Sequence, residues 1–182
     1  MSRSNIVLTG FMCAGKTTVG RLLRSMTGRE FIDTDIEVEV EVGSSIAEMF
    51  DRDGEALFRE KEHSVIQRAT ARKNRIIALG GGAVLDPRNV EAIRRTGIVY
   101  LLDVSLSDVL ARRTHEGDRP LLAGKNEVDI ADLFGQRREA YVQAADVILD
   151  TRGKTAEEIA SGIENDFALR CSQGGTPEDH DR

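Results

Sequence analysis

The chain has 182 residues, 40% of them hydrophobic and 31% charged, a balance that suits a globular fold and excludes disorder throughout. Its net charge of −6 argues against a general nucleic-acid binder, which needs a basic face, but leaves room for a few arginines around a small anion. Two cysteines far apart suggest neither a disulfide framework nor a metal cluster, and the longest apolar run, 98–102, falls far short of the roughly 20 residues of a membrane helix. Residues 1–4 lead directly into apolar 6–8, which reads as a first strand and not as a secretion signal, so a cytoplasmic, membrane-free protein is expected.

In chain order, strand 6–9 runs into Gly10-Phe11-Met12-Cys13-Ala14-Gly15-Lys16-Thr17. This is G-x-x-x-x-G-K-[ST] between a predicted strand and a predicted helix over 16–26, the setting in which the pattern carries meaning. Glycines let backbone N–H groups curl around phosphate oxygens, and the helix N-terminus adds positive potential. Lys16 can then reach the β- and γ-phosphates while the Thr17 hydroxyl ligates Mg²⁺. Val19, Leu22, Leu23 and Met26 give the helix a buried face.

Strand 30–32 ends in Asp33-Thr34-Asp35. Acids at i and i+2 on extended backbone point the same way, towards the carboxyl end of a parallel sheet, where ligands bind. One can help hold magnesium and the other can orient or deprotonate an acceptor hydroxyl; the alternative is a solvated strand end with a helix cap. Residues 36–42 alternate apolar and Glu with period two, by pattern alone a half-buried strand. Ser45 and Glu48 have capping-box spacing at the head of helix 45–50. Asp51-Arg52-Asp53-Gly54 fits the DxxG string of GTPases, yet it follows a helical segment and no NKxD occurs, so that reading is weak.

Helix 55–72 carries Arg59 beside its apolar part, and strand 75–79 leads into Gly80-Gly81-Gly82. Three successive glycines are costly to order, which points to backbone approaching a ligand, or else to a permissive turn. Asp86-Pro87 opens helix 87–95. Strand 98–102 ends at Asp103, a rival to Asp33 at the metal that pattern alone leaves open. After helix 106–113, the basic stretch from Arg112 to Leu122 reads as a lid over about 113–125, with Arg119 placed to stabilise charge on a transferring phosphoryl group, or as a solvated loop; His115 is given no catalytic role. Helix 130–144 turns Ile130, Leu133, Phe134, Arg137 and Tyr141 inward, with Arg138 towards the edge. An inward guanidinium needs an anion, either a ligand carboxylate or an acid of the protein. Strand 147–149 and helix 156–169, headed by Thr155 and Glu158, complete the set, and a polar tail is expected over 171–182. Strands separated by helices predict an α/β fold with a mainly parallel sheet covered on both faces.

Taken together, GFMCAGKT at 10–17, DTD at 33–35, FREKE at 58–62, GGGAV at 80–84, RPLL at 119–122 and R-x-x-x-Y from Arg137 to Tyr141 resemble the shikimate kinases of the nucleoside-monophosphate-kinase-like P-loop group, over about residues 5–169. The resemblance implies a single three-layer P-loop kinase domain over 1–170, with a five-stranded parallel sheet and a substrate-binding region at about 33–62. It also implies transfer of the ATP γ-phosphoryl group to the 3-hydroxyl of shikimate, in aromatic amino-acid precursor synthesis. Cys13, Ala14, Gly15, Lys16, Thr17 and Thr18 would hold the nucleotide. Arg113 and the loop from Arg152 would lie near the adenine, and Arg119 would be the lid arginine. Thr17 and Asp33 would organise Mg²⁺, which favours Asp33 over Asp103. Asp35 would bind shikimate hydroxyls and act as base. Arg59, Arg137 and the backbone of Gly80, Gly81 and Gly82 would bind shikimate, the arginines through its carboxylate. Lys16, Asp35 and Arg119 are thus the catalytic candidates. Residues 36–42 become helical on this resemblance, against their pattern. One departure is Cys13, where the family usually has glycine. Gluconate-type sugar-acid kinases share the P-loop and a carboxylate-bearing substrate, but the DTD, triple-glycine and RxxxY set favours shikimate. A silent nucleotide-binding module is disfavoured by intact Lys16, Thr17, Asp33 and Asp35, and a monomer is expected.

Overall fold

A computed structural model describes residues 3–113 and 126–173. Five strands, β1 (Asn5–Thr9), β2 (Glu30–Asp33), β3 (Arg75–Ala78), β4 (Gly97–Asp103) and β5 (Val147–Asp150), form one sheet in the order β2-β3-β1-β4-β5, and every pairing is parallel. The predicted strands are therefore all present, with ends shifted by one residue at most. The inner strands β3, β1 and β4 are buried almost throughout, as strands covered on both faces must be, whereas the edge strands β2 and β5 are partly open. Registers Leu8↔Ala78 and Leu8↔Tyr100 align the carboxyl ends of the three inner strands.

Eight α-helices surround the sheet within the described residues: α1 (Lys16–Thr27), α2 (Thr34–Val42), α3 (Ile46–Asp53), α4 (Glu55–Thr70), α5 (Pro87–Thr96), α6 (Leu106–Arg113), α7 (Glu127–Ala144) and α8 (Ala156–Gln173). Their starts follow local chemistry. Ser45 and Glu48 close a capping box, and so do Thr155 and Glu158. Asp86 accepts from Arg88 N–H ahead of Pro87. A third box, Asn126 with Asp129, starts α7 three residues before the predicted position; Asn and Asp fill the roles usually taken by Ser or Thr and Glu. α8 continues through Gln173, so Cys171–Gln173, expected in the tail, are helical; residues 174–182 lie outside the described ones.

The period-two segment is α2, helical as the family resemblance implies. Asp33 caps it by accepting from Asp35 N–H, and Gly43 ends it in the left-handed region. Its four apolar residues divide by helical geometry. Val38 and Val42, one turn apart, face inward, while Ile36 and Val40 lie on the other side, Val40 73% exposed. Val38 joins Met49, Phe58 and Val65 in a small apolar cluster separate from the main core. Phe50 meets Phe58 edge-on there, with ring centroids 5.0 Å apart. This cluster fixes α2, α3 and α4 as one wall beside the sheet's carboxyl end.

α1 packs on the sheet closely enough that a Cβ at Gly20 would lie 2.1 Å from Cε2 of Phe31. Overpacking costs about 1–3 kcal/mol and alanine returns up to about 1 kcal/mol of helix propensity. Gly20→Ala is therefore expected to lower the unfolding free energy by about 1–2 kcal/mol in a urea titration.

Candidate active site

β1 leads into Gly10, whose φ of 143° accompanies close packing of the loop backbone on the Leu102 carbonyl; a Cβ would sit 2.8 Å from that oxygen. The loop closes at Gly15, in the left-handed region, and α1 begins at Lys16. The Lys16 ammonium donates to the carbonyls of Gly10 at 2.8 Å and Phe11 at 3.0 Å, so a buried positive charge spans the loop. Cys13 also has a left-handed backbone, with φ 63° and its side chain packed in the main core. For a residue with a Cβ this conformation costs roughly 1–2 kcal/mol. Its carbonyl accepts from Arg112 Nη1 at 3.2 Å, and Ala14 N–H donates to Phe11 O at 3.2 Å. Thr18 is exposed in the first turn of α1.

Thr17 Oγ1 donates to Asp33 Oδ2 at 2.7 Å, while Asp103 pairs with Arg138 at 3.2 Å. The hydroxyl of the phosphate loop thus meets the acid of the DTD element. One hydroxyl and one carboxylate form the sparse protein donor set that suits magnesium, which keeps waters and phosphate oxygens in its remaining positions.

Beside this pair lies a cavity of about 280 Å³, with Thr17, Asp33 and Asp35 on its loop side and Phe50, Phe58 and Arg59 towards the helical wall. Arg59 is held at 2.7 Å by Glu62 and 2.8 Å by Glu55, with its guanidinium 5.0 Å from the Phe58 ring centroid. Glu62 is 1% exposed; burial pushes its carboxyl up to about 7 against the pull of Arg59, and the charge of Asp35 adds to the rise. Its Oε1 is buried without a hydrogen-bond partner. The sequence pattern gave FREKE as a motif but no role for this glutamate; a carboxylate one turn from an inward arginine was the available signal.

The glycine turn leaves room for side chains of the protein itself. A Cβ at Gly80 would lie 2.3 Å from Asp35 Oδ1 and 2.7 Å from Glu62 Oε1, and one at Gly82 would lie 2.7 Å from both terminal nitrogens of Arg59. The protein's own polar side chains occupy the space the glycines leave. Gly80 N–H donates to Thr34 Oγ1 at 2.9 Å. The Gly81 carbonyl accepts from Arg137 Nη1 at 3.2 Å and from the Tyr141 hydroxyl. Burial pushes the Tyr141 hydroxyl up to about 12, so it remains a donor.

Arg137 is 7% exposed and, among the described residues, makes no ion pair with an acid of the protein. The two inward arginines therefore differ: Arg59 is matched by two internal acids, and Arg137 rests on a carbonyl. Arg152 lies apart from the cavity, paired with Asp150 at 2.7 Å and beside a smaller hollow of about 180 Å³ that Asp103, Ser105 and Phe134 also line. Arg113 closes α6, and Arg119, with most of the expected lid, lies outside the described residues.

The shikimate kinase family model matches residues 12–167. A shikimate kinase of Moorella thermoacetica is 45% identical over 159 residues, covering 87% of this chain and 91% of that protein. One of Symbiobacterium thermophilum is 42% identical over 173 residues, covering 93% of this chain and 99% of the relative. Among solved structures, a shikimate kinase from Acinetobacter baumannii in complex with shikimate superposes with a TM-score of 0.87 at 36% identity, over 96% of this chain and 97% of the other. A gluconokinase from Sinorhizobium meliloti, at 15% identity and a TM-score of 0.56 over 94% of this chain and 95% of the other, shares the fold alone.

The raised Glu62 carboxyl makes stability depend on pH in a defined direction. Between about 4.5, its ordinary value, and about 7, the folded protein holds a proton that the unfolded chain releases, so this group lowers stability as pH rises through that window. Glu62→Gln cannot ionise. The melting temperature of the unsubstituted protein minus that of the variant is expected to fall from pH 5 to pH 7.5 in parallel thermal melts.

Proposed function

The chain belongs to the shikimate kinase family, and from that membership we propose that it transfers the γ-phosphoryl group of ATP to the 3-hydroxyl of shikimate, giving shikimate 3-phosphate on the route to aromatic amino acids. The observation that carries the reading is one small cavity, about 280 Å³, with a phosphate-loop hydroxyl on one side and a guanidinium on the other. Its size is at the low end for ligand pockets and suits a compact ring acid.

In this reading the amides of Cys13–Thr18 and the Lys16 ammonium hold the β- and γ-phosphates. Lys16 is well placed to exchange its loop carbonyl partners for phosphate oxygens. Thr17 and Asp33 would hold Mg²⁺, which would supply positive charge to neutralise the phosphate oxygens. Asp35 lines the cavity against Gly80 and takes the acceptor hydroxyl, orienting it and receiving its proton. Arg59 and Arg137 take the substrate carboxylate, the planar fork suiting two oxygens. Arg137 is the stronger candidate for a lasting pair, because a buried cation resting on a carbonyl gains most from an incoming anion. Gly81 and Gly82 line the cavity and Gly80 lies next to them against Asp35, and in this reading the backbone of all three would contact shikimate. We assign Arg119 to the phosphoryl group as lid arginine, and Arg113 and Arg152 to the adenine side. A cytoplasmic monomer fits this reading, and among the described residues no helix is long and apolar enough to cross a membrane.

A coupled ADP-release assay with Mg-ATP is expected to show turnover with shikimate and little with gluconate or no acceptor; acceptor-independent turnover or preference for gluconate would contradict the assignment. In the same assay Arg137→Ala should raise the shikimate KM at least tenfold while changing the ATP KM little, and the reverse split would move Arg137 to the nucleotide. Lys16→Ala should lower kcat by about 10²–10³-fold, the scale for losing a charge that stabilises the transferring group.

A further inference from the structure

The phosphate loop contains a side chain in a conformation that favours glycine. Cys13 has φ 63°, and the only other non-glycine described residue with positive φ is Asn74, a type that tolerates it better. The peptide joining Cys13 to Ala14 is held at both ends. Its N–H donates to the Phe11 carbonyl within the loop, and its C=O accepts from Arg112, which comes from α6 and lies 99 residues away in sequence. The Cys13 side chain is buried in the core and anchors the residue from a third direction.

Arg112 sits in the basic run noted in the sequence, and the proposed mechanism gives it no task. We infer that Arg112 is a positioning residue for the nucleotide site: its guanidinium holds the Cys13–Ala14 peptide in the orientation that keeps the loop's amides available to phosphate, and position 13 needs this hold because it carries a side chain. Rotation of this peptide would break its N–H bond to the Phe11 carbonyl and turn its C=O towards that same carbonyl, disturbing the loop that presents the remaining amides. With glycine the left-handed conformation is readily populated; with cysteine the backbone is biased away from it once the carbonyl is released. A charge-assisted hydrogen bond from a neighbouring helix opposes that bias. The inference rests on the nucleotide reading of the loop and is independent of the acceptor's identity.

The test is a double-mutant cycle on Mg-ADP binding, measured by calorimetry without shikimate. Arg112→Ala is expected to weaken ADP binding about fivefold to tenfold. In a Cys13→Gly background the same change should cost less than twofold, because glycine keeps the loop conformation unaided. The shikimate KM should stay within twofold in every variant. Arg112→Met, which keeps the apolar stem, provides the same comparison should the alanine variant fail to fold. Equal weakening in both backgrounds would mean that the charge acts on the nucleotide directly and would overturn the proposal. No weakening, or a parallel rise in the shikimate KM, would overturn it as well. Absence of ADP binding to the unsubstituted protein would instead remove the nucleotide reading, and this inference with it.

Discussion

Burial of the three inner strands on both faces is the constraint from which the site follows. β3, β1 and β4 carry apolar side chains on both sides, so polar chemistry is excluded from the middle of the sheet and collects where the strands end. Parallel pairing places those ends at one edge. β1 delivers the phosphate loop there, β2 delivers Asp33, and β3 delivers the glycine turn. A hydroxyl from the loop therefore meets an acid from the neighbouring segment at 2.7 Å without any long excursion of the chain.

The charge arrangement at that edge is uneven. Arg59 has Glu62 and Glu55 as partners, and Asp35 lies close to Glu62 across the space left by Gly80. Glu62 is the buried one of these acids; its desolvation outweighs the pull of Arg59, the charge of Asp35 adds to the rise, and the group holds its proton towards neutral pH. Arg137 has the opposite situation, a buried cation resting on a carbonyl and a tyrosine sharing that same oxygen. The site thus combines a guanidinium oriented by internal acids with one that donates to a backbone carbonyl.

Local features were the most readable from the sequence. The strand-loop-helix of residues 6–26 and the caps at Ser45, Thr155 and Asp86 each depend on a few adjacent residues. Non-local features were not. The alternation at 36–42 is compatible with a strand or a helix, and only the packing of Val38 against Met49, Phe58 and Val65 decides the matter; the family resemblance supplied the helix, not the pattern. Three glycines in a row announce a close approach but do not say of what, and here the approaching groups come from α2, α4 and Met12 of the phosphate loop. Sequence spacing showed Arg137 facing inward, yet whether it met an acid or a carbonyl depended on where the β3 turn lay. The bond between Arg112 and Cys13 joins segments so distant in the chain that no spacing rule connects them.

The small apolar cluster shared by α2, α3 and α4 has a mechanical consequence. It is distinct from the large core under the sheet, to which α4 also contributes Ile66 and Ala69, so α2 and α3 form a small unit attached mainly through α4. Such a unit opens at lower free energy than the strands it leans on. Solvent hydrogen exchange at the amides of α2 and α3 should consequently run ahead of that in β1 and β4, allowing this wall to breathe while the sheet stays intact.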